Sequence, residues 1–504
     1  MTRLRRTLAA EAADAARLSE PRDDCLVLEE PTGPGRFAAL DGPFRDYERT
    51  LEVGPDGSVV EEVRFRLAVG VWPFVFAPLY RRGLRRRWPA GRSPWWAPAE
   101  RIDATSAGTL GLLCVLAVIT GYLGTLITQT ITFAVDEFGA SDRAQGATLA
   151  AVRVGVLGAV ALTALADRRG RRRALLGSVA AACAFATLGA VSTNLVVLGV
   201  GQTISRGFTT AAAVLVAVVG IEEMRASSRA YAASLLAMAG ALGVGTCLWV
   251  LPLADLGERA WRLLYLFPLA ALLPLRWIAR HLPESRRFTA PHGTATMGGH
   301  ARRFWLLAAS GLLLGLFTAP ASQFMNDFLR EERGFSALQI TVFAIATNTP
   351  GGIGVIVGGR LADLRGRRTI GAVGVVAGTV LTAGMLYVHG WPMWALSVAG
   401  AVLGAMTVPA LGVYGPELFP TSLRGRANGI IAVAGVAGSS TGLLLAGWFS
   451  DRWGRLAPGL TVLAAGPLLM AVLVRFAYPE TAHVELEELN PEDRAGPAAG
   501  AELP

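Results

Sequence analysis

Residues 167–173 read DRRGRRR and residues 363–368 read DLRGRR. These near copies lie 196 residues apart, each between two long apolar runs. Low-complexity apolar segments can resemble one another by accident, but charged loops recurring in one register point to a repeated unit. Working outward from the loops gives twelve apolar runs, at about 107–134, 145–166, 174–193, 195–220, 230–252, 260–281, 303–329, 338–362, 369–388, 391–415, 427–449 and 456–478. Each is near or above the roughly 20 residues a membrane-spanning helix needs. Only helices satisfy the backbone of so many runs in lipid. Glycine is abundant within them, which argues against helix in water but permits close helix contact in a membrane.

Composition agrees. The 504 residues are 52% hydrophobic and only 17% charged, against about 25% charged in ordinary soluble domains. The net charge of +9 comes mainly from arginines beside the apolar runs, which points to topology setting rather than nucleic-acid binding. Cys114, Cys183 and Cys247 lie inside apolar runs and no CxxC or metal-ligand spacing occurs, so neither a disulfide framework nor a metal site is expected. The N-terminus lacks the sustained apolar core of a secretory signal. No phosphate loop or nucleophile–base constellation is present to support a pump or an enzyme.

Residues 1–105 are charge-rich and stand apart. Two alternating segments in 44–66, around Pro55-Asp56-Gly57, predict a β-hairpin. Residues 67–80, LAVGVWPFVFAPLY, are too short and too broken by Pro73 and Pro78 to span a bilayer. Arg81–82, Arg85–87 and the tryptophans 88, 95 and 96 follow. They suit the surface of an anionic leaflet; the competing reading is a soluble α+β fold that buries the run.

Arginine sets the expected orientation. Loops after even-numbered runs carry Arg168, Arg169, Arg171–173, Arg225, Arg229, Arg280, Arg286, Arg287, Arg302, Arg303, Arg365, Arg367, Arg368, Arg424 and Arg426. Loops after odd-numbered runs hold only Arg143, Arg259, Arg262, Arg330, Arg333, Arg452 and Arg455. The even loops and both termini are therefore expected in the cytoplasm, in a multi-pass protein of the plasma membrane. The expected divisions are a partly β cytoplasmic region 1–105, a six-helix bundle 106–281, a linker 282–302, a second bundle 303–480 and a tail 481–504. The tail is acidic and then Pro/Ala-rich, and reads as frayed.

Two further features repeat. Glu222 and Arg229 map onto Glu417 and Arg424 at an offset of 195, and Pro283-Glu284 maps onto Pro479-Glu480 at 196. Six helices duplicated in parallel is a known transporter plan. The loops resemble the signature G-x-x-x-D-R/K-x-G-R-R/K of the major facilitator superfamily, through Asp167, Gly170, Arg171 and Arg172, then Gly359, Asp363, Gly366, Arg367 and Arg368. Thr163 stands in place of the first glycine, and Leu364 in place of a basic residue. The run 415–424 (GPELFPTSLR), 282–286 (LPESR), and 479–481 (PET) followed by 486–488 (LEE) are similar to motifs of that superfamily's sugar porters and metabolite:proton symporters. The resemblance covers about 107–490. It implies an all-α fold of twelve transmembrane helices in two bundles. It also implies a cytoplasmic gate of Asp167, Gly170, Arg171, Asp363, Gly366, Arg367, Glu222, Arg229, Glu417 and Arg424, closed when the site faces outward.

Ionisable or polar groups inside spans are functional candidates. Here these are Arg206, Arg153, Asp136, Glu137, Asp327, Gln129, Gln202, Gln323, Asn326 and Asn348. The structural alternative for the two arginines is an ion pair with Asp136 or Glu137. Gly121-Tyr122-Leu123 is similar to the G-Y-D of proton-coupled sugar porters with leucine replacing the acid, and the sugar-binding QQxSGxN run is absent. Two arginines in spans favour an anionic solute. The expectation is thus a monomeric secondary transporter of a small organic anion, working by alternating access in the bilayer. Protons are the candidate coupling ion, and no cofactor, metal or nucleic acid is required. Proton-antiport export of drugs or metabolites, and a non-transporting sensor on a transporter scaffold, are the competing functions.

Overall fold

A computed structural model describes residues 1–9, 18–53, 58–89, 92–291, 293 and 295–494. It opens with strands β1 (Thr2–Ala9), β2 (Leu28–Gly33), β3 (Arg36–Asp41), β4 (Phe44–Val53) and β5 (Ser58–Leu67), then helix α1 (Pro73–Gly83). The strands form one antiparallel sheet in the order β1-β5-β4-β3-β2. Alternation along β5 turns Val59, Glu61, Val63, Phe65 and Leu67 inward, as a period of two requires. β4 and β5 pair from Phe44↔Leu67 to Val53↔Val59, so the expected hairpin strands are present. Its turn, 54–57, lies outside the described residues.

The broken run 67–80 divides its side chains between two surroundings. Leu67, Val69, Tyr80 and, just beyond, Leu84 are buried with Phe44 and Phe65 in the core of this region. Val71, Phe74 and Val75 are exposed. The sheet also buries charge: Arg49 is fully buried and donates to Glu29, which also accepts from Tyr47 Oη at 2.6 Å. Arg49 stands 4.0 Å over the Phe37 ring as well.

Twelve helices follow that are long and apolar enough to cross a membrane. They are α2 (Ala104–Phe138), α3 (Ala144–Arg169), α4 (Arg171–Val191), α5 (Leu195–Glu222), α6 (Ala226–Leu256), α7 (Ala260–His281), α8 (Gly298–Gln323), α9 (Leu338–Arg365), α10 (Arg367–Met385), α11 (Trp391–Glu417), α12 (Arg424–Trp453) and α13 (Leu456–Ala477). Cores form within α2–α7 and within α8–α13. A small apolar plug of Ile221, Ala230, Ala362, Ala410 and Val413 joins the two bundles at the end that carries the DRxGRR-type loops. α3 is interrupted at Gly155, where an added Cβ would stand 2.1 Å from the Thr203 carbonyl oxygen of α5. Glycine is needed there because two backbones touch.

The tail departs from its expected frayed state. Residues 484–494 form a short helix α14 (Leu486–Leu489) and a further turn, and they pack on the loop end of both bundles. Apolar Leu486 is fully buried, and Asn490 donates to the Glu417 carbonyl at 2.7 Å. Acidic composition suggested solvation, whereas the acids meet arginines here. Residues 495–504 lie outside the described residues.

Arg49→Met should leave Glu29 buried without its cation, at a cost of about 3–5 kcal/mol. Limited proteolysis of full-length protein along a temperature ramp should show the N-terminal sheet cleaved earlier, while helical circular dichroism of the membrane part is unchanged.

Candidate functional site

The loop end is organised by two carboxylates set on helix N-termini. Asp167, closing α3, accepts from the backbone amides of Gly425 at 2.9 Å and Arg426 at 2.7 Å, which open α12. Asp363, closing α9, accepts from Ala230 at 3.1 Å and Tyr231 at 2.9 Å near the start of α6. Both contacts cross between bundles. Free amides and the positive end of the helix dipole favour an anion at each place.

Two arginine–glutamate clusters flank them. Arg171 bonds Asp167, reaches Glu222 at 3.4 Å and donates to the Thr421 carbonyl at 2.7 Å. Arg367 bonds Glu417, reaches Asp363 at 3.2 Å and donates to the Ala226 carbonyl at 2.7 Å. Each glutamate also takes the arginine of the opposite bundle: Arg424 with Glu222 at 2.6 Å, and Arg229 with Glu417 at 3.3 Å. Glu222 and Arg229 of one bundle thus pair with Arg424 and Glu417 of the other, across the interface. All eight side chains are at most 4% exposed. In so dry a place an unpaired charge is costly, so the cations and anions hold one another and the two bundles together.

The glycines of the loops have a definite task. Gly170 has φ +107° and Gly366 has φ +100°, and a Cβ at either would stand 2.6 Å from a glutamate oxygen, of Glu284 and Glu480 respectively. Those glutamates cap the next helices: Glu284 accepts from the Arg172 amide and Glu480 from the Arg367 amide, each at 2.9 Å. The Pro-Glu repeat carries no role in sequence alone; its shared register with the loops is the signal that points to one.

The close crossings differ between the halves. A Cβ on Gly429 of α12 would lie 2.4 Å from the Thr163 hydroxyl oxygen of α3. At the related crossing, a Cβ on Gly359 of α9 would lie 1.9 Å from the Ser234 hydroxyl oxygen of α6. Thr163, which replaces the signature glycine, is thus matched by a glycine on the opposite helix.

Residues from outside the bundles complete this end. Ser285 donates to Glu222 at 2.6 Å. Glu485 meets Arg229 at 2.9 Å, Glu487 meets Arg287 at 3.0 Å, and Asp493 meets Arg424 at 3.1 Å. Burial works upward on the Glu487 carboxyl, but the Arg287 hydrogen bond and charge hold it below its usual range. Burial pushes Glu223 above its usual range against the neighbouring Arg286 amide and charge. The N-terminal region reaches the second bundle where Arg360 of α9 donates to Ser93 Oγ at 2.8 Å.

The candidates inside the spans separate. Arg206 of α5 donates to the Gly124 carbonyl at 2.6 Å, and its Nε has no partner. Arg153 of α3 approaches Ser440 Oγ of α12 at 3.5 Å. Among the described residues neither arginine forms an ion pair. Glu137 is engaged elsewhere, with Arg262 at 2.9 Å and Trp261 Nε1 at 2.8 Å, tying α2 to α7 at the end opposite the loops. It is not the partner of Arg206 or Arg153. Asp136 and Asp327 are exposed. Gln202 is buried within the first bundle and donates to the Ala186 carbonyl at 3.2 Å. Asn326 and Asn348 line a cavity of about 510 Å³ in the second bundle, with Ser322 and Thr347. Gln323 is exposed and Gln129 half-buried, and neither lines that cavity.

Twelve spans in two related bundles, joined at one end by exchanged ion pairs, define a two-bundle membrane transporter. A family model described as Major Facilitator Superfamily matches residues 112–442 and 324–500, and the chain belongs to that superfamily. Over 172 residues it is 26% identical to the cis,cis-muconate transport protein of Acinetobacter baylyi, a match spanning 34% of this chain and only 40% of that relative. Among solved structures it is similar to the proton:xylose symporter XylE bound to 6-bromo-6-deoxy-D-glucose, with TM-score 0.64, 17% identity, and 77% of this chain and 99% of that one covered. It is also similar to FucP in the outward conformation (TM-score 0.61, 14% identity, 74% and 100% covered) and to the human organic anion transporter MFSD10 (0.58, 15%, 73% and 99%). At these identities the structural likenesses speak for fold. The relatives are transporters, not enzymes.

Asp167→Asn should keep the protein inserted but loosen its hold on the α12 amides by about 1.5 kcal/mol, the lower range for a charged hydrogen bond. A reporter Thr163→Cys, buried at that crossing, should then be alkylated about tenfold faster. An unchanged rate would show that Asp167 contributes nothing to closure.

Proposed function

We propose that this protein carries a small organic anion by secondary active transport, rocking the two bundles about a site between them. The observation that carries this reading is the pair Arg206 and Arg153, two cations in membrane helices with no acidic partner among the described residues. A charged group within a span is costly unless compensated. Arg206 Nε is buried and unbonded, and a solute carboxylate would supply both the charge and the acceptor. The relative named for cis,cis-muconate, by its chemistry a dicarboxylate, supports the same class of cargo.

On this reading the arginine-rich loop end lies in the cytoplasm of the plasma membrane, together with both termini. The exchanged ion pairs then form the cytoplasmic gate, and the conformation described is the outward-facing one with that gate closed. Proton symport is the preferred coupling. The exposed acids Asp136 and Asp327 are the candidates for the proton site, since Leu123 leaves the α2 position without one. Asn326 and Asn348 would serve cargo through the cavity they share.

Purified protein in proteoliposomes should take up muconate or another small dicarboxylate, faster with an acid-outside pH gradient. Arg206→Ala should lower uptake by about ten- to a hundredfold, the loss expected for one charge-assisted hydrogen bond. Uptake equal to wild type would remove Arg206 from the path and with it the anion assignment.

A further inference from the structure

The N-terminal region does not merely hang beside the bundles. Trp72 Nε1 donates to the Gly111 carbonyl of α2 at 2.9 Å, and a Cβ on Gly111 would stand 2.7 Å from the Val69 oxygen. The segment before α1 therefore touches α2 about two turns beyond its start, about 10 Å along its axis. α2 has 35 residues and is about 52 Å long, against a hydrocarbon core of about 30 Å. The contact thus falls near the boundary between headgroups and acyl chains, on the loop side of the membrane.

At that depth the segment entering α1 exposes apolar side chains beside a block of charge. Phe74 is 73% exposed and Val71 52%. Arg81, Arg82, Arg85 and Arg86 follow, all exposed. Other arginines of the region, Arg3, Arg6, Arg22, Arg49, Arg64 and Arg101, are paired with carboxylates. Among the described residues these four form no ion pair; Arg5, Arg36, Arg45, Arg66, Arg87 and Arg92 form none either, but these four stand together in one exposed block at the end of α1.

Between α1 and helices α2 and α6 lies a cavity of about 420 Å³. Its walls include Trp72, Val75 and Phe76 on one side and Leu110, Met238 and Leu242 on the other. Two of the polar groups in the lining are engaged by the protein itself: Trp72 on Gly111, and Tyr231 Oη on the Trp96 carbonyl at 3.1 Å. The lining is otherwise largely apolar and holds no charged side chain, so it suits hydrocarbon better than a soluble anion. Val75 and Leu242 line the cavity yet are 42% and 38% exposed, so they mark its mouth. A second hollow along α1, of about 610 Å³, is bordered by Phe74, Arg81, Arg82 and Arg85.

We propose that this is a binding site for one anionic phospholipid of the leaflet on the loop side, with an acyl chain in the cavity and the headgroup phosphate on Arg81, Arg82 and Arg85. The charge selects the lipid, because basic side chains at the surface attract anionic headgroups. The cavity fixes it in place.

The test uses full-length protein in phosphatidylcholine vesicles, into which brominated-chain phosphatidylglycerol or brominated-chain phosphatidylcholine is titrated. The signal is the quenched fluorescence of Trp72, isolated as the difference between wild type and Trp72→Phe. Brominated phosphatidylglycerol should quench this component at a mole fraction about tenfold lower than brominated phosphatidylcholine. Replacing Arg81, Arg82 and Arg85 together by glutamine, all on the surface, should make the two lipids equal. Equal quenching in wild type would reduce the feature to ordinary bilayer exposure. No quenching by either lipid would mean that the cavity excludes chains. A preference that survives the triple replacement would overturn the headgroup assignment.

Discussion

A carboxylate resting on the amides of a helix that belongs to the other bundle is the constraint around which the loop end is built. Asp167 does this for α12 and Asp363 for α6. A helix start leaves amide donors unbonded, and burial makes each of them expensive unless an acceptor arrives. The acceptor is an anion, so it brings its own need for a cation, which Arg171 and Arg367 meet. Those arginines in turn hold Glu222 and Glu417, and the glutamates are completed by Arg424 and Arg229 from the other bundle. Each requirement is local, yet together they reach across the whole interface.

The membrane fold was legible because its evidence lies in loops. Apolar helices blur into one another, whereas Asp167 and Asp363, or Pro283-Glu284 and Pro479-Glu480, keep their register. What stayed hidden was the partner of each charge. A repeat identifies equivalent positions, but Glu222 and Arg229 are equivalent to Glu417 and Arg424 whether they pair within a half or across it. Only the placement of the helices decides. The acids of residues 484–494 were misread for a related reason: acidic composition looks solvated until three-dimensional structure brings Arg229, Arg287 and Arg424 beside it. Gln202 shows that a polar residue in a span can bond within its own bundle, which its sequence position does not reveal.

The two ends are built differently. Opposite the loops, Glu137, Arg262 and Trp261 bind α2 to α7 inside one bundle. At the loop end, charge, an apolar plug and the ordered tail all join one bundle to the other. The N-terminal sheet adds a further tie, resting on α2 through Trp72 and on α9 through Arg360. Motion of the bundles relative to each other is thus opposed mainly at the end where the duplicated loops sit.

The crossings of Thr163 with Gly429 and of Gly359 with Ser234 give the two halves a kind of mating. The bulk removed from one helix stands on its partner, in opposite senses at the two places. If two copies of the first half were docked in this manner, Thr163 would face Ser234 and the backbones would be forced apart. Two copies of the second half would set Gly359 against Gly429 and leave a gap. At these two crossings each half is therefore shaped to the other rather than to itself.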